Sequence, residues 1–326
     1  MGLLGFSALT VAFLLVTLRG DFVSIDNLQS MALQMTEVGL LALALLAPML
    51  TGGIDLSVVA IANLAAVVAG LLLNRPELPG WIGPVAALAV GACSGLANGL
   101  LITVLRLPPI LATLGTMQVI SGIAIILTKG HAVVGMPDWV GDLGLATAGL
   151  VPMPWLVFLA IALAVWILLG RTRFGFELKL LGSNAVAARY AGLPIPSIIL
   201  RTYLLSGLCS ALAGLMVLTR VNSASADYGA SYLLLVVLIN ILGGVDTRGG
   251  SGSVVGVVLA VAVLQMLASG LELLSWTAFA RDLLFGGLLI AVVATKAVGG
   301  LVLDPSRRFL KFSSGAVEPS GSGTPP

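Results

Sequence analysis

Long apolar runs with very few charges constrain this chain more than any other feature. Of its 326 residues, 59% are hydrophobic and only 9% are charged, against about 25% charged residues in a typical soluble domain. A helix needs about 20 apolar residues to cross the hydrocarbon core of a bilayer. The runs therefore predict an all-α integral membrane protein, a polytopic helical bundle in a lipid bilayer. They exclude soluble enzymes, nucleic-acid-binding proteins and disordered chains.

Ten apolar segments are predicted to be transmembrane, some of them broken by Gly-rich turns. The first has no Lys or Arg before it and no small-residue cleavage pattern after it, so we expect a retained helix rather than a secretory signal. The eighth is short and runs into two glycines, which predicts a broken or re-entrant helix. The segments are residues 2–18, 31–50, 56–73, 81–105, 110–127, 150–169, 202–219, 232–244, 253–274 and 283–299.

The distribution of Lys and Arg predicts the orientation, because cytoplasmic loops carry an excess of both. The stretch 170–201, here called the basic loop, holds five basic residues, and three more follow residue 304. We therefore place the basic loop and both chain termini in the cytoplasm. Residues 1–303 are expected to form the transmembrane domain. Residues 304–326 should form a disordered cytoplasmic tail, because their end is rich in Ser, Gly and Pro and cannot bury a core.

The chain lacks the residues for chemistry of its own. It contains no G-x-x-x-x-G-K-[ST] motif, so it is not expected to bind ATP, and any ATP used in its function must be bound by another subunit. His131 is the only histidine, which argues against a Ser-His-Asp site or a histidine-based metal centre. We therefore predict no catalytic residue, cofactor or metal in this chain.

A short helix is predicted inside the basic loop. Asn184 can cap a helix that runs from Ala185 to Ala191, and Gly192 can end it in a left-handed turn. The Ala187-Ala188 pair is small enough to let another surface approach closely, while Arg189 and Tyr190 offer specific contacts. From the spacing alone, a docking element and an ordinary connecting helix remain equally open.

Two junctions share the pattern G-G-[IV]-D and look like matched helix breaks. We call residues 51–57 the first glycine break and residues 243–253 the second. Glycine permits tight turns there, and an Asp or Ser side chain can cap the helix that follows. Transporters often place gates or binding sites at such breaks. The residues concerned are Gly52, Gly53, Asp55 and Ser57 in the first break, and Gly243, Gly244, Asp246, Gly250 and Gly252 in the second.

Polar side chains inside the predicted spans are candidates for a transport pathway. Glu37 is the leading one, because an ionisable group at membrane depth normally faces a cavity or a partner. Asn98 and Gln118 are the other two. Polar side chains without a charge cluster favour a neutral hydroxylated substrate over an ion.

Gly91, Gly95 and Gly99 fall on one helix face, which favours close packing within the subunit over a dimer face.

Five motifs occur in order along residues 30–300: Thr51-Gly-Gly-Ile-Asp-Leu-Ser57, Gly95-Leu-Ala-Asn-Gly99, Leu107-Pro-Pro-Ile-Leu-Ala-Thr-Leu-Gly115, Gly182-Ser-Asn-Ala-Val-Ala-Ala-Arg-Tyr-Ala-Gly192, and Leu242-Gly-Gly-Val to Gly-Gly-Ser-Gly-Ser253. Together they resemble the permease subunits of bacterial sugar-type ABC importers, in the ribose, autoinducer-2 and rhamnose-like branch of the binding-protein-dependent inner-membrane family. The resemblance implies a ten-helix permease of the inner membrane. It also implies three partners: a second permease subunit, identical or paralogous, an ABC ATPase subunit that binds ATP-Mg, and a periplasmic solute-binding protein.

The same resemblance implies that the helix after Asn184 is the coupling helix that docks in the ATPase. Where the family often has an acidic residue after the Asn, this chain has Ala185 and Val186. The expected solute is monosaccharide-like, with autoinducer-2, nucleosides and branched-chain amino acids as alternatives. A proton-coupled secondary transporter that uses Glu37 and Asp55 is the alternative of a different class.

Overall fold

The computed structural model describes residues 20 and 22–303, with side chains up to residue 295. Within that part the chain forms twelve helices and four two-residue strands. The helices are α1 (Ile25–Leu50), α2 (Val58–Leu73), α3 (Ile82–Thr103), α4 (Pro109–Thr128), α5 (Asp138–Leu145), α6 (Met153–Arg171), α7 (Arg173–Ser183), α8 (Ala185–Tyr190), α9 (Ile195–Val221), α10 (Tyr232–Leu242), α11 (Val254–Leu273) and α12 (Ala278–Leu303). The predicted segment 2–18 and the predicted tail 304–326 lie outside the described residues.

Seven of the described helices are long and apolar enough to cross a membrane: α1, α3, α4, α6, α9, α11 and α12. Helices α2 and α10 are shorter apolar helices. The eleven residues of α10 span only about 16 Å, which agrees with the prediction of a short, broken segment at 232–244. The count of ten spans stays a prediction.

The main difference from the predicted boundaries lies in the basic loop. Helix α9 begins at Ile195, directly after Pro194, so residues 195–201 are helical rather than part of a loop. Pro196 occupies the second helical position, where its missing N–H would have no partner within the helix. The start of the basic loop is also helical: α7 was not predicted, and the Thr172 hydroxyl caps it by accepting from the Gly175 N–H.

Helix α1 lies at the centre of the bundle. Every residue from Thr36 to Leu50 is buried, and α6, α9, α10 and α11 all pack against it. A helix that is apolar on all sides lies either in a protein core or in lipid, and the burial of α1 by its neighbours places it in the core. The core is therefore arranged around α1, and α12 lies at the periphery.

Helices α3 and α9 form the most extensive helix pair. Glycine residues lie where the two helices cross. A Cβ atom at Gly91 would overlap the Gly207 carbonyl oxygen, and one at Gly95 would overlap the Tyr203 carbonyl oxygen. Small residues allow this approach between backbones. The prediction that these glycines pack within the subunit is confirmed.

Short strands join the loops at one end of the bundle. Strand β1 (Val133–Val134) pairs antiparallel with β4 (Ser223–Ala224), and β2 (Thr147–Ala148) forms a hairpin with β3 (Val151–Pro152). The basic loop and both glycine breaks lie at the opposite end.

Candidate functional site

The two glycine breaks, distant in sequence, meet in the structure. The Gly250 N–H donates a 2.8 Å hydrogen bond to the Leu50 carbonyl at the end of α1. Gly52 adopts a φ of +83°, and a Cβ atom there would lie 2.9 Å from the Arg248 carbonyl oxygen. Glycine at residue 52 is therefore required twice, by its left-handed backbone conformation and by the neighbouring chain.

The basic loop packs onto the same junction. A Cβ atom at Gly182, near the end of α7, would overlap the Leu50 carbonyl oxygen and lie 2.5 Å from the Gly250 nitrogen. A Cβ atom at Gly250 would lie 2.8 Å from the Ser183 Cα. Three segments thus meet backbone to backbone. The sequence predicted each of them separately, but it gave no sign that they touch.

Helix α8 is present and capped as predicted. The Asn184 Oδ1 atom accepts hydrogen bonds of 3.0 Å from the Val186 and Ala187 N–H groups. Gly192 has a φ of +72°, which is the left-handed conformation expected after the helix. Tyr190 is 89% exposed and Val186 is 65% exposed, and Arg189 is exposed as well. This face of α8 is covered by nothing in the part of the chain that the structure describes.

The interpretation of Ala187 and Ala188 as one approachable pair is wrong. Ala188 is fully buried, in the core cluster that includes Leu178 and Ile198, whereas Ala187 is exposed. Adjacent helical residues point about 100° apart, so one faces the bundle when the other faces away. Ala187, and not Ala188, belongs to the free face of α8.

Sequence reasoning missed Phe176 on α7, which is 68% exposed. Gly175, Leu178 and Leu181 are buried on the other side of this helix. Their spacing of three residues was a readable helical signal, and it leaves Phe176 on the opposite face. The Glu177 carboxylate beside it accepts a 2.6 Å hydrogen bond from the Arg173 Nε.

A buried polar network fixes the first glycine break. Asp55 is fully buried, and one of its oxygens accepts from the Ser57 N–H at 3.0 Å and from the Ser57 hydroxyl at 2.6 Å. The other oxygen accepts from the Ser206 hydroxyl on α9 at 2.8 Å. Ser57 occupies the N-cap position of α2, but its side chain makes no capping bond. Its hydroxyl is committed to Asp55 instead. At the second break the expected serine cap is present, because the Ser253 side chain accepts a 3.3 Å hydrogen bond from the Gly256 N–H of α11.

The network continues to Asn98, one of the pathway candidates. The Asn98 side-chain amide donates to the Ser57 hydroxyl at 2.8 Å, and its oxygen accepts from the Thr116 hydroxyl at 2.6 Å. On α4, Thr113 donates to the Ile54 carbonyl at 3.1 Å. Hydrogen bonding satisfies these buried groups, as burial requires. The structure therefore gives Asn98 a place in the junction between helices.

Glu37 has a partner that the sequence did not reveal. Its carboxylate accepts hydrogen bonds from the Nε and Nη2 atoms of Arg220, the second at 3.0 Å. The Arg220 Nη2 also donates to the Tyr228 hydroxyl at 2.7 Å. Burial first, and the Glu37 carboxylate second, raise the pKa of Tyr228, so its hydroxyl stays protonated. Arg220 lies just beyond the predicted span 202–219.

The remaining candidates lie apart from these clusters. Gln118 is exposed on α4 and joins neither network. Asp246 is exposed, and its carboxylate accepts a 2.9 Å hydrogen bond from the Arg248 N–H within the second glycine break. In the same break, a Cβ atom at Gly243 would lie 2.8 Å from the Val257 nitrogen. These residues shape turns or face outward.

A family model described as the permease component of branched-chain amino acid transport systems matches residues 27–293. The chain belongs to this permease family. The permease is 32% identical over 267 residues to the autoinducer 2 import system permease protein LsrD of Photorhabdus laumondii, which covers 80% of each chain. It is 33% identical to the LsrD protein of Yersinia enterocolitica and 32% identical to that of Yersinia pseudotuberculosis, again over 80% of each chain. No solved structure matches the permease.

Proposed function

We propose that this permease is the membrane-spanning subunit of an ABC importer for a monosaccharide-like solute of the autoinducer-2 type. The observation that carries the proposal is its similarity, over four-fifths of both chains, to permeases named for autoinducer 2 import. Rhamnose-like sugars, nucleosides and branched-chain amino acids are the alternatives within the same family. The permease itself hydrolyses no ATP in this proposal.

The free face of α8, together with Phe176, is proposed to dock in the ATPase subunit. Tyr190 and Val186 give this surface apolar contacts, and the basic loop around it carries five basic residues. The contact of Gly182 with Leu50, at the end of α1, and with Gly250, in the second glycine break, supports a coupling role, because the loop cannot shift without displacing both segments. A groove that is apolar and acidic would complement this surface.

The rest of the assembly follows the same proposal. A second permease subunit, identical or paralogous, completes the translocation path, and a periplasmic binding protein delivers the solute. The chain crosses the bacterial inner membrane ten times with both termini in the cytoplasm. The two carboxylates that a proton-coupled transporter would need free are both engaged: Glu37 is paired with Arg220, and Asp55 is hydrogen-bonded to Ser57 and Ser206.

Uptake measurements test the proposal directly. The permease is expressed together with the ATPase and the solute-binding protein of an autoinducer 2 import system, and uptake of labelled autoinducer 2 is followed in cells and in proteoliposomes. We expect vanadate to abolish uptake and a protonophore to leave proteoliposome uptake unchanged. Uptake that survives vanadate but collapses with the protonophore would favour the secondary transporter.

Thiol labelling tests the orientation. In a background without Cys93 and Cys209, a cysteine replacing the exposed Val186 should be shielded from a membrane-impermeant maleimide in intact cells. A cysteine replacing Ala148, in the hairpin at the other end of the bundle, should react. The opposite labelling pattern would reverse the proposed topology.

A further inference from the structure

A polar cleft of about 400 Å³ opens at the end of the bundle opposite the basic loop. Its walls are the ends of α1, α10, α11 and α12 together with the loop that joins α9 to α10. That loop is held in place by Asn63, whose side-chain amide donates to the Ala226 and Tyr228 carbonyls at 3.0 Å. The cleft therefore has a fixed wall, and its volume lies in the range of small-molecule sites, roughly 300–1,000 Å³.

Aromatic rings and amides line the cleft. Tyr228 and Tyr232 meet edge to face with ring centroids 6.1 Å apart, and Phe285 adds a third ring. Gln265 donates a 2.8 Å hydrogen bond to Gln34 across the cleft floor. Such a lining offers apolar ring faces beside hydrogen-bonding groups that can both donate and accept.

The charges of the lining arginines are balanced. Arg220 is paired with Glu37, and the Arg281 Nη1 lies 3.3 Å from a Glu272 carboxylate oxygen. The further lining charge is the exposed carboxylate of Asp282. An anion would find its guanidinium partners already occupied and a carboxylate nearby. A neutral ligand meets no such cost.

We propose that this cleft binds a neutral polyhydroxylated solute within a single permease subunit. The C–H faces of such a solute pack against the tyrosine and phenylalanine rings. Its hydroxyl groups exchange hydrogen bonds with Gln34, Gln265 and Ser231. The proposal deepens the proposed function and rests on it, since it names where the imported solute is first held at this end of the permease.

Protection of a cysteine tests binding. Ser231 lines the cleft and is exposed, so Ser231→Cys in the background without Cys93 and Cys209 is labelled with a maleimide in detergent-solubilised membranes. D-ribose and autoinducer 2 are the probes. We expect either probe at saturation to slow labelling at least fivefold, and to leave labelling of the control Ala148→Cys unchanged. Equal labelling rates with and without both probes would overturn the cleft.

Uptake of the same probes separates this proposal from the proposed function. Protection without uptake would leave the cleft standing and overturn the importer proposal. Uptake without protection would support the importer proposal and overturn the cleft as a binding site. If neither uptake nor protection is observed, both proposals are overturned.

A matched pair of substitutions gives a second measurement. Gln265→Leu removes the buried amide from the cleft floor, whereas Gln29→Leu makes the same change outside the cleft lining, where the Gln29 amide donates to the Leu150 carbonyl. We expect Gln265→Leu to raise the KM of uptake at least tenfold with little change in maximal rate, and Gln29→Leu to change neither. A raised KM for Gln29→Leu alone would place the solute outside the cleft and overturn the proposal.

Discussion

The Asp55 carboxylate accepts a 2.8 Å hydrogen bond from the Ser206 hydroxyl, 151 residues further along the chain. This bond ties the first glycine break to α9, the helix that directly follows the basic loop. Because Asp55 is fully buried, water cannot replace the hydrogen bonds that its carboxylate oxygens accept from Ser206 and Ser57. The position of the break and that of α9 are therefore interdependent.

Removing the Asp55 carboxylate should destabilise the permease. Asp55→Ala leaves the buried Ser57 and Ser206 donors without their acceptor, and each unsatisfied buried group costs about 1–3 kcal/mol. Ser206→Ala removes only one bond, so its effect should be smaller. We expect the thermal unfolding midpoint in detergent to fall most for Asp55→Ala, and the double variant to lose less than the sum of the two. Strictly additive losses would show that the two residues are not coupled.

A methyl group at residue 182 should separate the basic loop from the breaks. Gly182→Ala would overlap the Leu50 carbonyl oxygen, and overpacking of this kind costs about 1–3 kcal/mol. Gly170→Ala is the matched control, since a Cβ atom there meets nothing within 4 Å. We expect Gly182→Ala to lose most uptake and ATPase co-purification, and Gly170→Ala to keep both. Equal behaviour of the two variants would contradict the close contact.

The opposite faces of α8 should respond differently to arginine. Ala187→Arg puts a long side chain on the free face in place of a methyl group and holds an apposed surface away by its bulk, so the permease should reach the membrane in normal amounts but lose ATPase co-purification. Ala188→Arg forces the same group into the core, where an unpaired charge costs several kcal/mol, so the permease itself should disappear from the membrane. Quantitative immunoblots and pull-downs measure both effects. Retained ATPase binding in Ala187→Arg would move the docking surface away from α8.

Loss of the Glu37 carboxylate should be compensated by loss of the Arg220 guanidinium. Glu37→Leu leaves the Arg220 guanidinium without its carboxylate. Because the Arg220 side chain is 27% exposed, the cost is below the ~3–5 kcal/mol of breaking a fully buried pair from one side. We expect membrane abundance to fall for Glu37→Leu and to recover in the variant that also carries Arg220→Leu. If Glu37→Leu alone has normal abundance and uptake, the pair contributes little to stability.

Features repeated along the chain were readable from the sequence. Apolar runs predicted the long helices, although α1 and α9 begin six and seven residues before the predicted segments 31–50 and 202–219. Helix α8 followed from a single cap, Asn184, and a single stop, Gly192. The breaks at Gly52 and Gly243 were visible because glycine interrupts otherwise apolar segments. These signals are local, and each depends on residues within one or two turns of helix.

Partners distant in sequence were not readable. Nothing near Glu37 identifies Arg220, and nothing near Asp55 identifies Ser206, since these pairs exist only after α1, α2 and α9 have packed together. The orientation of α8 was missed for the same reason. Alanine carries no sign of which face is buried, so only the contact of Ala188 with the core distinguishes it from Ala187.

The junction of Gly182, Leu50 and Gly250 has a mechanical consequence. Side chains between two segments act as a cushion, because they change rotamer when one segment moves. Main-chain atoms in direct contact have no such freedom, and packed interiors resist compression. A displacement of the basic loop would therefore be transmitted with little loss to Leu50, at the end of α1, and to Gly250, four residues before α11.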